Sequence, residues 1–261
     1  MDFTIKTMAE YAAEGKSPEV LFWVGCAGSF DDRAKKITKA FAKILNKVGV
    51  EFAVLGQEES CTGDPAKRAG NEFIFQMMAL TNIEVLNAYE VKKIVTACPH
   101  CFNTLKNEYP SLGGNYEVMH HTQLLQQLME QGRLKIEGGA FKGKKITFHD
   151  PCYLGRANDE YEAPRVLLEK LDAELVEMKR CKTNGLCCGA GGAQMFKEPE
   201  NPTEILGWIP INNGCYGENP FIFPELFDKH CTTYTNLKNL IKPFLLDRSM
   251  IIRTDIILAK L

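Results

Sequence analysis

The chain has 261 residues, room for one large domain or two of ordinary size, and is 45% hydrophobic and 25% charged. That balance belongs to a folded chain with a real core, and a net charge of −2 excludes nucleic acid or an anionic membrane as a bulk electrostatic partner. Ten cysteines are the unusual quantity.

In chain order, VLFWVG (20–25) reads as a buried strand ending at Cys26, followed by the helix DDRAKKITKAFAKILNKVG with two acids at its positive end. VEFAVL (50–55) is a second strand, leading into a loop with Cys61, Gly63 and Pro65. NEFIFQMMAL and NIEVLNAYE are helical, and KKIVTA (92–97) is a strand that stops at Cys98. A helix from Pro99, a strand YEVMHH (116–121) and a helix TQLLQQLMEQG complete this round. After the connector GGAFKGKK (138–145), KKITFHD is a strand ending near Cys152. YEAPRVLLEKLDA is a helix whose Pro164 suits a first turn, ELVEM (174–178) is a short strand, and CKTNGLCCGAGGAQM is a loop. Strands alternating with helices predict an α/β fold of two pseudo-repeated units. Their sheets are largely parallel, with the cysteine loops at the strand C-terminal ends.

The repeat shows in the spacings. Cys26 to Cys61 is 35 positions, as is Cys152 to Cys187, and each pair is offset from its counterpart by 126. Cys61-Thr62-Gly63 falls on Cys187-Cys188-Gly189, so an α/β unit is duplicated. The expected organisation is a first cysteine-rich unit over 1–137, the start of a second over 138–200, and a divergent tail over 201–261.

The N-terminus has no basic segment followed by an apolar run, so no secretory signal is read. No apolar stretch approaches the roughly 18–20 residues of a span, because Lys242, Asp247, Arg248, Arg253 and Asp255 interrupt the apolar tail. The expectation is a cytoplasmic chain without a direct membrane span, able to sit peripherally on a membrane complex. In a reducing compartment its cysteines are metal ligands or redox groups, with small buried hydrophobes as the plain alternative for any isolated one.

Cys26, Cys61, Cys98 and Cys101 would project from one sheet edge, and four thiolates suit either tetrahedral zinc or an iron–sulfur cluster. Two lone cysteines plus one close pair match a cluster cradle better than the two close pairs of most structural zinc sites. In the second half, Cys152 joins the adjacent pair Cys187 and Cys188, which can ligate different irons of a polynuclear cluster. GAGG (189–192) lets backbone approach the sulfurs.

These motifs, SCTGDPAKRAGNEFIFQ and HDPCYLGR…NGLCCGAGGAQMF, resemble the cysteine-rich "CCG" domain over about Val20 to Pro199. That family includes catalytic subunits of heterodisulfide reductases and iron–sulfur subunits of glycolate and lactate oxidases. The resemblance implies electron transfer between a partner's cofactor and a small-molecule substrate or disulfide, the partner being a ferredoxin-like or flavoprotein subunit. In heterodisulfide reductase each complete motif holds a noncubane [4Fe-4S] cluster through five cysteines. Here Thr62 stands where the pair's second cysteine would lie, so the four first-half ligands imply an ordinary [4Fe-4S] cubane. The second half supplies Cys152, Cys187 and Cys188 and then departs. The offset predicts a CxxC near 224 and 227, where Pro224 and Phe227 stand, while Cys181, Cys215 and Cys231 fall at other spacings. The second cluster is therefore incomplete or borrows ligands. The abrupt stop in the match favours a frame disruption over gradual divergence.

Other readings carry less. Cys98-Pro-His-Cys101 also suits a thioredoxin-like dithiol, but that leaves the matched spacings unexplained. His120-His121 reads as a turn with one ring exposed rather than as ligands. Asp150 either caps the turn after it or, with His149, relays a proton, and Arg156 is solvated or meets an anionic substrate. No GxGxxG opens a helix after a strand, which gives nicotinamide or flavin binding no support, and there is no compact ferredoxin-type cysteine run.

Overall fold

The computed structural model describes residues 3–185 and the backbone of 250–252. The chain divides into two compact units, one ending at Lys135 and the other beginning at Ile136.

The first unit begins with helix α1 (Met8–Ala13), closed by a capping box in which Thr7 and Glu10 satisfy each other's backbone N–H groups. Strand β1 (Val20–Trp23) is buried at every position, as a run apolar on both faces must be. The expected helix from Asp31 forms, and a short helix that the sequence does not announce precedes it. α2 (Gly25–Phe30) carries Cys26 in its first turn, and α3 (Asp32–Lys47) starts afresh where the Asp31 carboxylate accepts the Arg33 and Ala34 N–H groups. α3 buries Phe41, Ala42, Ile44 and Leu45 and leaves its lysines outside, with Phe41 edge-on to Phe22 at 5.0 Å.

β2 is only Phe52–Ala53, and a parallel bridge from Thr7 to Val54 extends it. A 3₁₀ turn (Gly56–Glu58) and the short helix α4 (Asp64–Arg68) flank Cys61. The two helical stretches read after it are one continuous helix, α5 (Glu72–Ala88), started by the Asn71 carboxamide. Its inner face buries Phe75, Ala79, Asn82, Ile83 and Leu86, while Phe73, Met77 and Leu80 are exposed.

β3 (Lys93–Thr96) leads through Cys98 into α6 (Pro99–Asn103). That helix loosens into a π-helical turn (Thr104–Glu108) and tightens into a 3₁₀ turn (Tyr109–Leu112). β4 (Glu117–His120) and α7 (His121–Glu130) follow. The four strands are all parallel in the order β2-β1-β3-β4, so every strand's C-terminal end lies on one edge.

In the second unit β5 (Lys145–Phe148) is followed by a turn containing Cys152, then α8 (Glu162–Lys170) and β6 (Glu174–Leu175). Pro164 is the third residue of α8, within the first turn, where no intrahelical donor is lost. β7 (Met250–Ile252) pairs parallel with the other side of β5, giving the order β6-β5-β7. This repeats the β2-β1-β3 arrangement of the first unit. The residues after β7, Arg253-Thr254-Asp255, contain no cysteine where β3 is followed by Cys98. Cys187, Cys188, Cys215, Cys231, the 189–192 glycines and the tail apart from the β7 backbone lie outside the described residues.

Candidate metal centre

The sheet edge gathers the first-half cysteines as its topology requires. Cys26 leaves β1, Cys61 precedes α4, and Cys98 and Cys101 enter and line α6 after β3. All four are free thiols. Cys98 and Cys101 are almost wholly buried, at 7% and 4% exposure, and Cys26 and Cys61 are half-buried. Their titrations act on one another. The Cys26 thiol donates to Cys61, which lowers Cys61 to about 6 and raises Cys26 far above the ordinary thiol range. Cys101 donates to Cys98, and with burial and the charges of Cys98, Cys26 and Cys61 its own titration is pushed well up. Two further donors favour the Cys61 thiolate, the Gly63 N–H and the Thr62 hydroxyl, while burial opposes them.

Glycine makes the close approach possible at two points. Gly25 has φ +77°, and a Cβ there would sit 3.3 Å from Cys101 Sγ. Gly63 has φ +85°, and its missing Cβ would fall 2.9 Å from the Phe75 ring.

Buried polar contacts stitch the three cysteine segments together. The Glu59 carboxylate accepts the Val24 N–H at 2.9 Å and the Gly25 N–H at 2.6 Å, tying the Cys61 loop to the Cys26 turn. Burial raises Glu59 to about 7 even against those two amides. Asp64 Oδ2 lies 2.7 Å from His100 Nδ1, joining the Cys61 side to the Cys98–Cys101 segment, and Arg68 Nε donates to Asp64 Oδ1 at 3.1 Å. Burial pulls Asp64 upward, but His100 and Arg68 outweigh it and hold the carboxyl below its usual range. Asn82 donates to the Cys61 carbonyl at 3.0 Å, and Tyr109 donates to the Thr62 carbonyl at 3.2 Å. Of these supports Asp64 and Arg68 lie in SCTGDPAKRAGNEFIFQ and His100 in Cys98-Pro-His-Cys101, motifs visible in sequence. Glu59, Asn82 and Tyr109 reach the site through the fold, and no local signal announces them.

Several sequence expectations are corrected. His120 and His121 are both buried, at 0% and 1% exposure, rather than one being exposed. His120 Nδ1 lies 2.7 Å from Thr122 Oγ1 and Nε2 3.3 Å from the Ala97 carbonyl, and burial beside His121 holds it neutral, far below its usual range. Asp150 has partners that the sequence does not announce. It is buried in a two-pronged ion pair with Arg165 at 2.7 and 3.0 Å and accepts the Lys182 N–H at 2.7 Å. Arg156 donates to the Gly185 carbonyl at 2.5 Å.

In the second unit Cys152 is half-buried after β5, and Cys181 is half-buried, with burial and the nearby Glu177 and Asp150 charges raising its thiol. Among the described residues no three His, Cys, Asp or Glu side chains converge on one point as donors to a single metal ion. The donor set does fit a group with more than one metal atom. Four thiols outside any disulfide come from three segments to one sheet edge, where each feels the charge of the others, and Gly25 lets the backbone pass close to Cys101 Sγ.

The CCG cysteine-rich domain model matches residues 20–106 and 146–205, more than half of the chain. The chain belongs to the CCG cysteine-rich domain family. It is 48% identical over 187 residues to an EtfAB:quinone oxidoreductase of Syntrophomonas wolfei, covering 72% of this chain and 26% of that protein. It is 48% identical over 205 residues to the probable iron-sulfur-binding oxidoreductase FadF of Bacillus subtilis, covering 78% and 29%. Over 189 residues it is 36% identical to one subunit of the dihydromethanophenazine:CoB–CoM heterodisulfide reductase of Methanosarcina barkeri, covering 70% and 45%. The chain thus spans between a quarter and a half of the length of these curated relatives.

Proposed function

We propose that the chain is an iron–sulfur subunit of an oxidoreductase, carrying electrons between a partner's cofactor and a small-molecule substrate or disulfide. The observation that carries this reading is the gathering of four free thiols from three loops at one sheet edge. In this reading Cys26, Cys61, Cys98 and Cys101 hold a [4Fe-4S] cluster, and Cys152, Cys187 and Cys188 contribute to a second centre with an incomplete ligand set. When bound, the cluster supplies one-electron transfer. The chain's own residues set the charge and hydrogen bonding around the sulfurs, and so its potential. Relatives named as oxidoreductases, one of them iron-sulfur-binding, support the same class. The partner is a ferredoxin-like or flavoprotein electron-transfer subunit. The working units are 1–137 and 138–200, followed by a divergent tail over 201–261. No helix among the described residues is long and apolar enough to cross a membrane, which accords with a cytoplasmic subunit that can attach peripherally to a membrane complex.

Two rival chemistries meet physical objections. Structural zinc is more often held by two close cysteine pairs, and here only Cys98 and Cys101 are close in sequence. Disulfide exchange through Cys98 and Cys101 needs access for an attacking thiolate, and both are buried.

The test is iron, zinc and acid-labile sulfide per chain in protein purified without oxygen, with absorbance before and after dithionite. About four irons and four sulfides with a bleachable band are expected for one four-thiolate cluster, and Cys98→Ser should abolish most of it. One zinc and no sulfide would defeat the electron-transfer reading. Metal-free protein with a reactive Cys98 would return the dithiol.

A further inference from the structure

Trp23, the last residue of β1, pairs in register with Thr96 of β3, and Thr96 pairs with His120 of β4. The three form one row across the C-terminal edge of the sheet. Residues paired in this way face the same side, and the next residue along a strand faces the other. Phe22 takes the α3 side, edge-on to Phe41 at 5.0 Å. The Trp23 row takes the side of α6, the helix that carries Cys101. There the His120 ring meets Phe102 of α6 at 6.0 Å, and the Thr96 hydroxyl accepts the Cys98 N–H at 3.3 Å. Trp23 thus stands three positions before Cys26 and beside the strand end that leads to Cys98. Its side chain is 0% exposed and, among the described residues, its indole N–H meets no acceptor. A buried donor without a partner is costly, and the few in a folded chain call for an explanation.

We propose that Trp23 is a cluster-binding residue whose indole N–H donates to a sulfur of the bound group and raises its reduction potential. The inference rests on the cluster reading given above. Val20, Leu21 and Phe22 supply β1 with apolar surface alone. Trp23 adds one donor, at the end of the strand next to the cysteines, where phenylalanine would serve as apolar wall. The indole nitrogen donates and does not accept, so the contact needs an electron-rich partner. The thiolates and sulfides of an iron–sulfur group are such partners. Adding an electron makes those sulfurs more negative, and a hydrogen bond aimed at one is worth more to the more negative state. A wholly buried donor is not screened by water, so the difference persists.

The experiment is a redox titration of the anaerobically purified full chain, of Trp23→Phe and of Trp23→benzothienylalanine, after iron and sulfide have been counted in each. Benzothienylalanine keeps the two-ring shape and replaces only the N–H, by sulfur. Losing a hydrogen bond of ordinary net worth predicts that at fixed ambient potential the reduced-to-oxidised ratio falls roughly fivefold in both variants. Pulsed electron paramagnetic resonance of the reduced parent, its tryptophans isotope-labelled at the indole nitrogen, reads the contact directly. A coupling to that nitrogen is expected, and it should survive in Trp208→Phe, whose one remaining tryptophan is Trp23. This signal supports the contact even if the Trp23 variants hold no iron. Absence of the coupling from the parent, its loss in Trp208→Phe, or an unchanged potential in a loaded benzothienylalanine protein would overturn the assignment. A parent chain without iron and sulfide would instead defeat the cluster reading, so the two failures are distinguishable.

Discussion

Tyr109 lies 47 positions from Thr62 in sequence, yet its hydroxyl donates to the Thr62 carbonyl and accepts from Asn82 Nδ2 at 3.0 Å. Removing that hydroxyl leaves a buried carbonyl and a buried amide short of partners. Tyr109→Phe should therefore lose about 1–3 kcal/mol of stability, read as a lowered urea midpoint at unchanged slope. His120 gives a prediction in pH. Its folded value lies well below 6.5 and its unfolded value near 6.5, so below 6.5 the unfolded chain binds a proton that the native chain refuses. Stability from this residue is present above pH 6.5 and is lost as pH falls, by about 1.4 kcal/mol per pH unit. Urea titrations between pH 7.5 and 5.5 should show that extra slope in the parent, and His120→Gln should flatten it. The cysteines were legible because metal-binding residue types at repeated spacing stand out in a sequence. Glu59, Asn82 and Tyr109 were not, because one buried Glu, Asn or Tyr looks like any other until the fold assigns its neighbour.

Arg165 shows the same dependence between elements. From α8 it binds Asp150 after β5 and Glu177 after β6, with Nε 2.6 Å from Glu177 Oε1. It also donates to the Tyr161 carbonyl at 2.7 Å. Arg165→Met would leave Asp150 charged and buried without its counter-ion, at a cost of about 3–5 kcal/mol in denaturant unfolding. Arg165→Lys should recover only part of that, since an ammonium cannot reproduce the planar fork. Among the elements, the apolar runs of β1, β3 and β5 were readable because strands buried on both faces need such runs. α2 was not, because six residues with two glycines are too short and too weakly patterned for periodicity to show a helix. α1 did leave a signal in Thr7-Met-Ala-Glu10, the capping-box pattern, before too short a helix for periodicity to detect.

At the scale of the molecule, the duplication was legible from spacing alone, and the two sheets carry it as β2-β1-β3 and β6-β5-β7. The third strand of the second sheet comes from 250–252, about thirty residues later than the 126-residue offset places it, so spacing could not locate it. The parallel order also governs how the first unit would respond to losing its cargo. In the proposed ligation one rigid group fastens residues 26, 61, 98 and 101, clasping two successive crossovers across 72 positions between Cys26 and Cys98. Such a clasp can close only after β1, β2 and β3 have lined up, and it then restrains the unfolded chain as a multi-armed crosslink would. Oxygen that strips the iron would undo both crossovers at once, so damage at the edge of the sheet would be felt as loosening throughout the unit.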